Sequence, residues 1–411
     1  MSGMGRQSGG MPVEKARDAL LASAVLPMDI ETLPLTQALG RVVAQPLVSP
    51  LDVPPVATSA MDGYALNTQD LSTSGETRLP VSQRITAGQT AQPLAPGTAA
   101  RLFTGSPVPA GADTVLAQET CVVDDNRLVV KRPVTPGSFI RPAGEDITRG
   151  STVVPQGTRM SPQHLGLAAA AGFEQIPVSR GPRVAVMCTG NELIQPGHPL
   201  SAGKIYNSNQ YVISALLQRL GCRVTNMGII PDSAAATRTA LLQAAAGADL
   251  VIASGGASVG EEDHIKSVLQ EIGRQELWRI AMRPGKPLVF GHVGDTPFFG
   301  LPGNPVSTFV TCCLFVRPYV LRLQGAAELT PQSLWLPADF AWPDTSDRRQ
   351  YLRARMKHGA DGVTTIECFP NQSSGVMTSL AWAHGLAVVQ EGQTVRTGQP
   401  VEFIPFSELI D

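Results

Sequence analysis

Aromatic residues make up only 5% of this 411-residue chain, and charged residues only 16%. Few aromatics mean few platforms on which bases could stack, so single-stranded nucleic acid is a poor candidate ligand. The formal net charge is −2 and no run of like charge stands out. A basic nucleic-acid surface and an acidic tail are both excluded on that ground. No apolar stretch reads as a membrane span. The six cysteines include no C-x-x-C pair, and Cys312 and Cys313 are adjacent in an apolar, helix-like run. That pattern argues against a zinc site or a disulfide framework and fits a reducing cytoplasm. The first eleven residues are rich in Gly and Ser without an apolar core, so a disordered tail is expected there and not a signal peptide.

Glycine and proline are plentiful, at 40 and 34 residues. They punctuate a chain too long for one compact core, so several domains are expected. Pro12 opens a helix with Val13, Ala16, Leu20 and Ala24 on one face. A further helix is expected before Gly40, which reads as its C-cap. Pro50-Leu-Asp-Val-Pro-Pro55 is a stiff hinge leading to Ser59-Ala-Met-Asp-Gly-Tyr-Ala65. Asp62-Gly63 reads equally well as a surface turn. Short apolar runs broken by Gly and Pro continue to Val134, so an all-β domain is expected, a small barrel or sandwich. Its loop Phe103-Thr-Gly-Ser-Pro-Val-Pro109 offers a hydroxyl and an amide at Thr104-Gly105, although Gly and Pro also suit a plain turn.

From Arg183 the pattern alternates. Strands are expected near 184–187, 223–227, 250–253, 288–291 and 298–300. Helices are expected at 209–220, 234–245, 263–272 and 305–323. Strands alternating with such helices predict a parallel, doubly wound sheet. Ligands of such sheets sit outside the carboxyl ends of the strands. Glu192, Asp232 and Asp263 each fall in a loop at that rim. Three carboxylates together are costly unless a cation neutralises them. Ser254-Gly-Gly-Ala-Ser-Val-Gly260 follows the third strand as a turn whose bare amides suit an anion. Hard oxygen ligands beside such a turn suggest Mg²⁺ bridging phosphates. Arg279, Arg283 and Lys286 surround another turn and suit the anionic part of a substrate. Solvated rim charges are the plainer alternative. Residues 328–411 read as a small β-barrel. There Tyr351, Arg353 and Arg355 share one strand face, and two aligned guanidinium groups suggest an oxyanion clamp.

Six motifs occur in order: Ser59-Ala-Met-Asp-Gly-Tyr-Ala65, Thr104-Gly-Ser-Pro-Val-Pro109, Arg141 with Gly144-Glu-Asp146, Thr189-Gly-Asn-Glu-Leu193, Ser254-Gly-Gly-Ala-Ser-Val-Gly260 and Leu301-Pro-Gly-Asn-Pro305. Together they resemble the MoeA family of molybdopterin molybdenumtransferases, whose animal counterpart is the gephyrin E domain. The resemblance runs from about residue 13 to 406. It implies a multidomain α/β plus β fold and an elongated homodimer with a shared active site. It also implies insertion of molybdate into adenylylated molybdopterin, with AMP released in the presence of Mg²⁺.

The domains implied are a tail at 1–11, a discontinuous mixed linker domain at 12–48 and 145–180, and a β domain at 49–144. A doubly wound molybdopterin-binding domain at 181–327 and a C-terminal β-barrel domain at 328–411 follow. By motif position the resemblance assigns catalysis to Asp62, Glu192, Asp232 and Asp263, the last three also as metal ligands. Substrate contacts are expected from Thr104, Arg141, Asp146, Ser254, Gly255, Gly256, Ser258, Gly260, Arg279, Arg283, Lys286, Pro302, Pro305, Arg353 and Ser374. Arg279 and Arg283 stand where the family often has lysines, Ser373 where a glycine is usual, and His384 where an asparagine is common. Two other readings fit parts of the chain: a molybdopterin adenylyltransferase-like enzyme, for the doubly wound part alone, and a non-catalytic scaffold like the gephyrin E domain. The adenylyltransferase is also an expected contact partner.

Overall fold

A computed structural model describes residues 10–25, 29–255 and 264–410 of the chain. Gly256, Ser258, Gly260 and Asp263 lie outside the described residues. The chain divides into two compact units. The first comprises the described residues up to Gln45, Gln156–Ser161 and everything from Pro177 onward; the second comprises Pro46–Pro155 and Pro162–Ile176.

The first unit is built on a six-stranded sheet: β1 (Arg183–Thr189), β2 (Arg223–Ile230), β3 (Leu250–Ser254), β4 (Gly273–Arg279), β5 (Pro287–Val293) and β6 (Thr296–Leu301). Their spatial order is β2-β1-β3-β6-β5-β4. The pairs β2–β1, β1–β3 and β3–β6 are parallel. Strand β1 is apolar from Val184 to Cys188 because both its faces are covered there. Val184 and Val186 join one buried cluster with Ile213 and Leu217 of the helix Asn209–Arg219 and with Val306 and Val310. Ala185 and Met187 face the other way, against Leu241 of the helix Ala234–Gly247 and Ile265 and Leu269 of the helix His264–Ile272. This is the doubly wound arrangement.

Two features of the sheet differ from expectation. Strands β5 and β6 are antiparallel, and β4, which the helical spacing does not suggest, adds a second antiparallel edge. The physical reason is the connection: only Gly294 and Asp295 separate β5 from β6, with Gly294 at φ +57°. A loop of that length closes a hairpin and cannot cross over. Near the N-terminus the helix expected before Gly40 is instead a strand, Ile30–Pro34, and one 3₁₀ turn, Leu35–Gln37. Pro34 disfavours helix at the residue before it.

The stretch Pro305–Leu323 has the length and hydropathy of a membrane span, contrary to the sequence reading, yet 78% of it is buried inside the molecule. It runs as an α-helix to Thr311, a π segment Cys312–Val316 and an α-helix Arg317–Leu323. The C-terminal strands Leu334–Pro337, Arg349–His358, Thr364–Cys368, Gly385–Val389 and Pro400–Pro405 form a sheet that closes through a bridge between Ala338 and Ile366. Leu352, Ala354, Ala387 and Phe403 fill the resulting small barrel.

The second unit holds a six-stranded sheet in the spatial order Thr114–Ala117, Gly63–Leu66, Ala99–Leu102, Thr77–Ile85, Arg127–Val130, Val122–Asp124. Ala65 and Leu66 go to different apolar clusters, so both faces of the Gly63–Leu66 strand are covered.

Asp249 ties the start of β3 to the start of β1. It accepts hydrogen bonds from the Arg183 backbone N–H at 2.8 Å, from Arg183 Nη2 at 2.8 Å and from Arg180 Nη1 at 2.9 Å. Partial burial alone would raise this carboxyl, but the bonds from Arg183 and Arg180 outweigh it and hold the group well below the usual carboxylate range. Asp249→Asn should therefore cost about 2 kcal/mol at neutral pH, a typical value for hydrogen bonds to a charged group. Because the folded pKa lies well below an unfolded value of about 4, this contribution is full above that pH and is lost progressively as pH falls from there toward the folded pKa. Thermal melts of wild type and variant should differ at pH 7 and converge toward pH 2. An equal gap at both pH values would contradict the assignment.

Candidate functional site

The parallel register sets Thr189 beside Ile230, Cys188 beside Ser254, and Ser254 beside Leu301. The loops that follow β1, β2, β3 and β6 therefore leave the sheet side by side. Asp232 Oδ2 accepts from the Asn191 N–H at 2.8 Å, and the Asp232 N–H donates to Asn191 Oδ1 at 3.3 Å. Gly190, at φ +147°, lies under the Glu192 carboxylate: a Cβ there would sit 2.6 Å from Oε2. Asn191 thus joins the two carboxylate-bearing loops. Lys204 Nζ donates to the Asn191 carbonyl and brings a cation to the same place. Among the described residues no group of three His, Cys, Asp or Glu side chains is gathered closely enough to hold a metal. Glu192 and Asp232 are the two expected ligands that the structure describes.

Gly255 follows β3 at φ +91°, and a Cβ there would lie 2.4 Å from the Thr189 carbonyl oxygen. Only glycine fits such an approach. Its N–H donates to the Leu301 carbonyl at 3.2 Å. Ser254, expected as a substrate contact, is 2% exposed. Its Oγ accepts from Asn209 Nδ2 at 2.8 Å and donates to the Pro302 carbonyl at 3.2 Å. It braces the Pro302–Pro305 loop. Thr308 Oγ1 also donates to the Pro302 carbonyl, and Pro305 begins the long buried helix. The Val306 N–H donates to the Ser374 carbonyl at 3.1 Å, which brings the barrel loop carrying Ser374 to this helix start.

The expected pair of aligned guanidinium groups is not formed. Arg355 pairs with Glu367, its neighbour across the strands, and lies over the Trp382 ring at 4.4 Å. Arg353 is 1% exposed, so the clamp reduces to this one residue. Its guanidinium donates to Ser379 Oγ at 3.0 Å and to the Ser373 and Asn371 carbonyls at 3.1 and 3.4 Å. Burial pulls its pKa down to about 10. Among the described residues no carboxylate pairs with it. An unpaired buried cation is costly and attracts an anion, and this one sits behind the Asn371–Ser374 loop.

Arg279 and Arg283 are exposed, and Arg283 Nη1 lies 3.2 Å from Asp344. The Ile280 N–H donates to the Lys286 carbonyl at 3.0 Å, closing their turn.

The second unit gathers three other motifs. The Ser59 N–H donates to Ser106 O and the Gly105 N–H to Ser59 O. Ile140 and Arg141 pair with Ser59 and Thr58. Asp62 Oδ1 accepts from the Thr104 N–H at 2.7 Å and from Thr104 Oγ1 at 2.8 Å. These bonds, the backbone one foremost, hold the Asp62 carboxyl below its ordinary value. Asp62 and Thr104 therefore form one device, where the motifs suggested two separate contacts. Arg101 braces it: Nη1 donates to the Gly63 carbonyl at 3.2 Å, and the guanidinium lies 4.9 Å from the centres of both the Tyr64 and Phe103 rings. Asp146 is exposed, with its N–H on the Val53 carbonyl. Lys204, Asn209 and Arg101 are not singled out in the sequence reading, and Asn191 appears there only inside the Thr189-Gly-Asn-Glu-Leu193 motif, without a role. Lys204, Asn209 and Arg101 act through partners that no local motif points to.

Three family models match in succession: the MoeA N-terminal region (domain I and II) over residues 11–172, a probable molybdopterin binding domain over 185–322, and the MoeA C-terminal region (domain IV) over 336–406. The chain is 34% identical over 404 residues to the molybdopterin molybdenumtransferase of Haemophilus influenzae, covering 97% of this chain and 100% of that one. It is 37% identical over 374 residues to molybdopterin molybdenumtransferase 2 of Mycobacterium tuberculosis, covering 88% and 91%. Among solved structures, a molybdopterin biosynthesis MoeA protein from Pyrococcus horikoshii OT3 superposes with a TM-score of 0.84 at 26% identity, covering 96% and 99%.

Thr104→Val removes the hydroxyl donor to Asp62 and leaves the backbone N–H. The Asp62 carboxyl should then titrate at higher pH than in wild type, as followed by carbon NMR of selectively labelled aspartate. An unchanged or lower midpoint would show that the hydroxyl does not hold the carboxylate.

Proposed function

We propose, on the premise that this chain belongs to the MoeA family, that it inserts molybdate into adenylylated molybdopterin and releases AMP, the last step in making the molybdenum cofactor. One observation carries the reading: Glu192, Asp232, the Gly255 turn and the Pro302–Pro305 loop converge on a single rim. Glu192 and Asp232, with Asp263, would hold Mg²⁺, and their hard carboxylate oxygens fit that ion. When bound, the ion offsets the charge of the pyrophosphate.

The protein's own groups have separable roles. The missing Cβ at Gly255 lets the turn after β3 close on the Thr189 carbonyl, and the turn so packed faces the phosphate oxygens. Arg279, Arg283 and Lys286 hold phosphate and pterin oxygens, the arginines as forks where lysines would act as point charges. Arg141 and Asp146 serve the substrate's polar edge. Arg353 lends its positive charge to the Asn371–Ser374 loop, so that molybdate, a tetrahedral dianion, is favoured near Ser374 and the Pro302–Pro305 loop. The two dithiolene thiols form two Mo–S bonds to molybdate while one molybdate oxygen leaves as water, taking the two thiol protons, so the oxidation state of molybdenum is unchanged. A water oxygen attacks the adenylyl phosphorus, the molybdopterin phosphate leaves, and AMP is formed. On this reading the protein works in the cytoplasm and takes its substrate from the molybdopterin adenylyltransferase.

Incubation with adenylylated molybdopterin, Mg²⁺ and molybdate should release AMP at a rate that rises with molybdate. Glu192→Gln should slow it by at least about tenfold, as expected for loss of a charged group acting on the reacting centre. AMP release indifferent to molybdate would indicate a plain hydrolase, and no release at all would end the reading.

The proposal includes a homodimer in which Asp62 of one subunit serves the site containing Glu192 of the other. Asp62→Ala and Glu192→Ala chains, each inactive alone, should complement when unfolded and refolded together. Random pairing makes half the dimers mixed, each with one intact site, so activity should recover to about a quarter of wild type. Verified mixed dimers without activity would rule out the shared site.

A further inference from the structure

The side-chain amide of Asn209, the first residue of the helix Asn209–Arg219, spans the two loops that the proposed function uses most. Nδ2 donates to Ser254 Oγ at 2.8 Å and to the Gly303 carbonyl at 2.7 Å. A carbonyl can only accept, so the amide orientation is determined by Gly303. Ser254 Oγ, having accepted from Asn209, turns its own hydrogen to the Pro302 carbonyl at 3.2 Å. One NH₂ group thus reaches both loops and completes a chain from the end of β3 to consecutive carbonyls of the Pro302–Pro305 loop.

Pro302 and Pro305 have no N–H, and the side-chain bonds to this loop are made to its carbonyl oxygens, at Pro302, Gly303 and Asn304. Those oxygens need donors, and Asn209, Ser254 and Thr308 supply them. The helix that carries Asn209 is anchored by Ile213 and Leu217, both fully buried under the sheet. The donor is therefore fixed to the core while the acceptors lie on the rim.

We infer that Asn209 is a positioning residue for the transfer reaction: it sets the spacing between the Ser254–Gly255 turn and the Pro302–Pro305 loop, and so between the phosphate end of the substrate and molybdate. This inference rests on the proposed function, which places the two reactants on those two loops. A misplacement of about 1 Å can cost a reaction about a hundredfold without touching the reacting groups.

The test is a double-mutant cycle on molybdate-dependent AMP release, with Asn209→Ala, Ser254→Ala and the pair. Asn209→Ala should lower kcat by about tenfold to a hundredfold. The Mg²⁺ concentration for half-maximal rate should not move, because Glu192 and Asp232 are untouched; a general loosening of the rim would shift it. The pair should cost no more than the worse single variant, because both residues belong to one chain of bonds. Additive losses, a normal kcat in Asn209→Ala, or a shifted Mg²⁺ response would each overturn the inference. Should Asn209→Ala fail to fold, the isosteric Asn209→Asp keeps the volume and loses the donors, and a wild-type kcat in that variant would overturn the inference equally. A wild-type protein that releases no AMP would sink the proposed function instead, so the two failures are distinguishable.

Discussion

The backbone at Gly255 passes so near the Thr189 carbonyl that a single methyl group would stand 2.4 Å from its oxygen. The meeting of three rim loops depends on that approach. It brings the loop after β3 against the loop after β1, and the Gly255 N–H then reaches Leu301 at the end of β6. Parallel strands make this possible because all their carboxyl ends point the same way. On the same rim Asn191 lies beside Asp232, and Asn209 between Ser254 and Gly303. A side chain at position 255 would separate the loops before any charged residue was lost.

Charge is distributed unevenly over the first unit. Glu192 and Asp232 stand on the rim with Lys204 close behind them. Arg353 is buried with no carboxylate beside it among the described residues, and its partners are a hydroxyl and two carbonyls. Neutral partners leave the cation's field intact, whereas Arg355 spends its charge on Glu367. A cation solvated by dipoles and screened from water acts over a longer range than one paired at the surface. That difference sets the two arginines of the strand apart.

The alternation of strands and helices from Arg183, the rim loops and the C-terminal barrel were all readable in the sequence, because apolar runs and Gly-rich turns state them locally. The β5–β6 hairpin was readable too, in the two-residue step Gly294-Asp295, but regular alternation before it favours a crossover. What escapes a linear reading is register. Arg355 meets Glu367 because two strands pair at that position. Asn209 meets Ser254 forty-five residues on because a helix start lies above a strand end. Asp62 and Thr104 looked like separate contacts until strand pairing brought their loops together. Local motifs mark which loops matter, and tertiary pairing assigns each side chain its partner.

The helix Pro305–Leu323 shows how the fold holds such a site still. Its hydropathy matches a membrane span because it is buried on two sides. One side meets the sheet through Leu288, Phe290 and Phe299, and the same apolar cluster includes Tyr351, Val388 and Ile404 of the barrel strands. A helix gripped on both sides by one core cannot shift toward either without opening a cavity, and interiors packed to native density resist that strongly. Its first residues carry the Pro302–Pro305 loop, and the Val306 N–H holds the Ser374 carbonyl of the barrel loop. The distance between the rim and the loop in front of Arg353 is thus set by packing in the core, because the helix that starts at the rim is held between the sheet and the barrel strands.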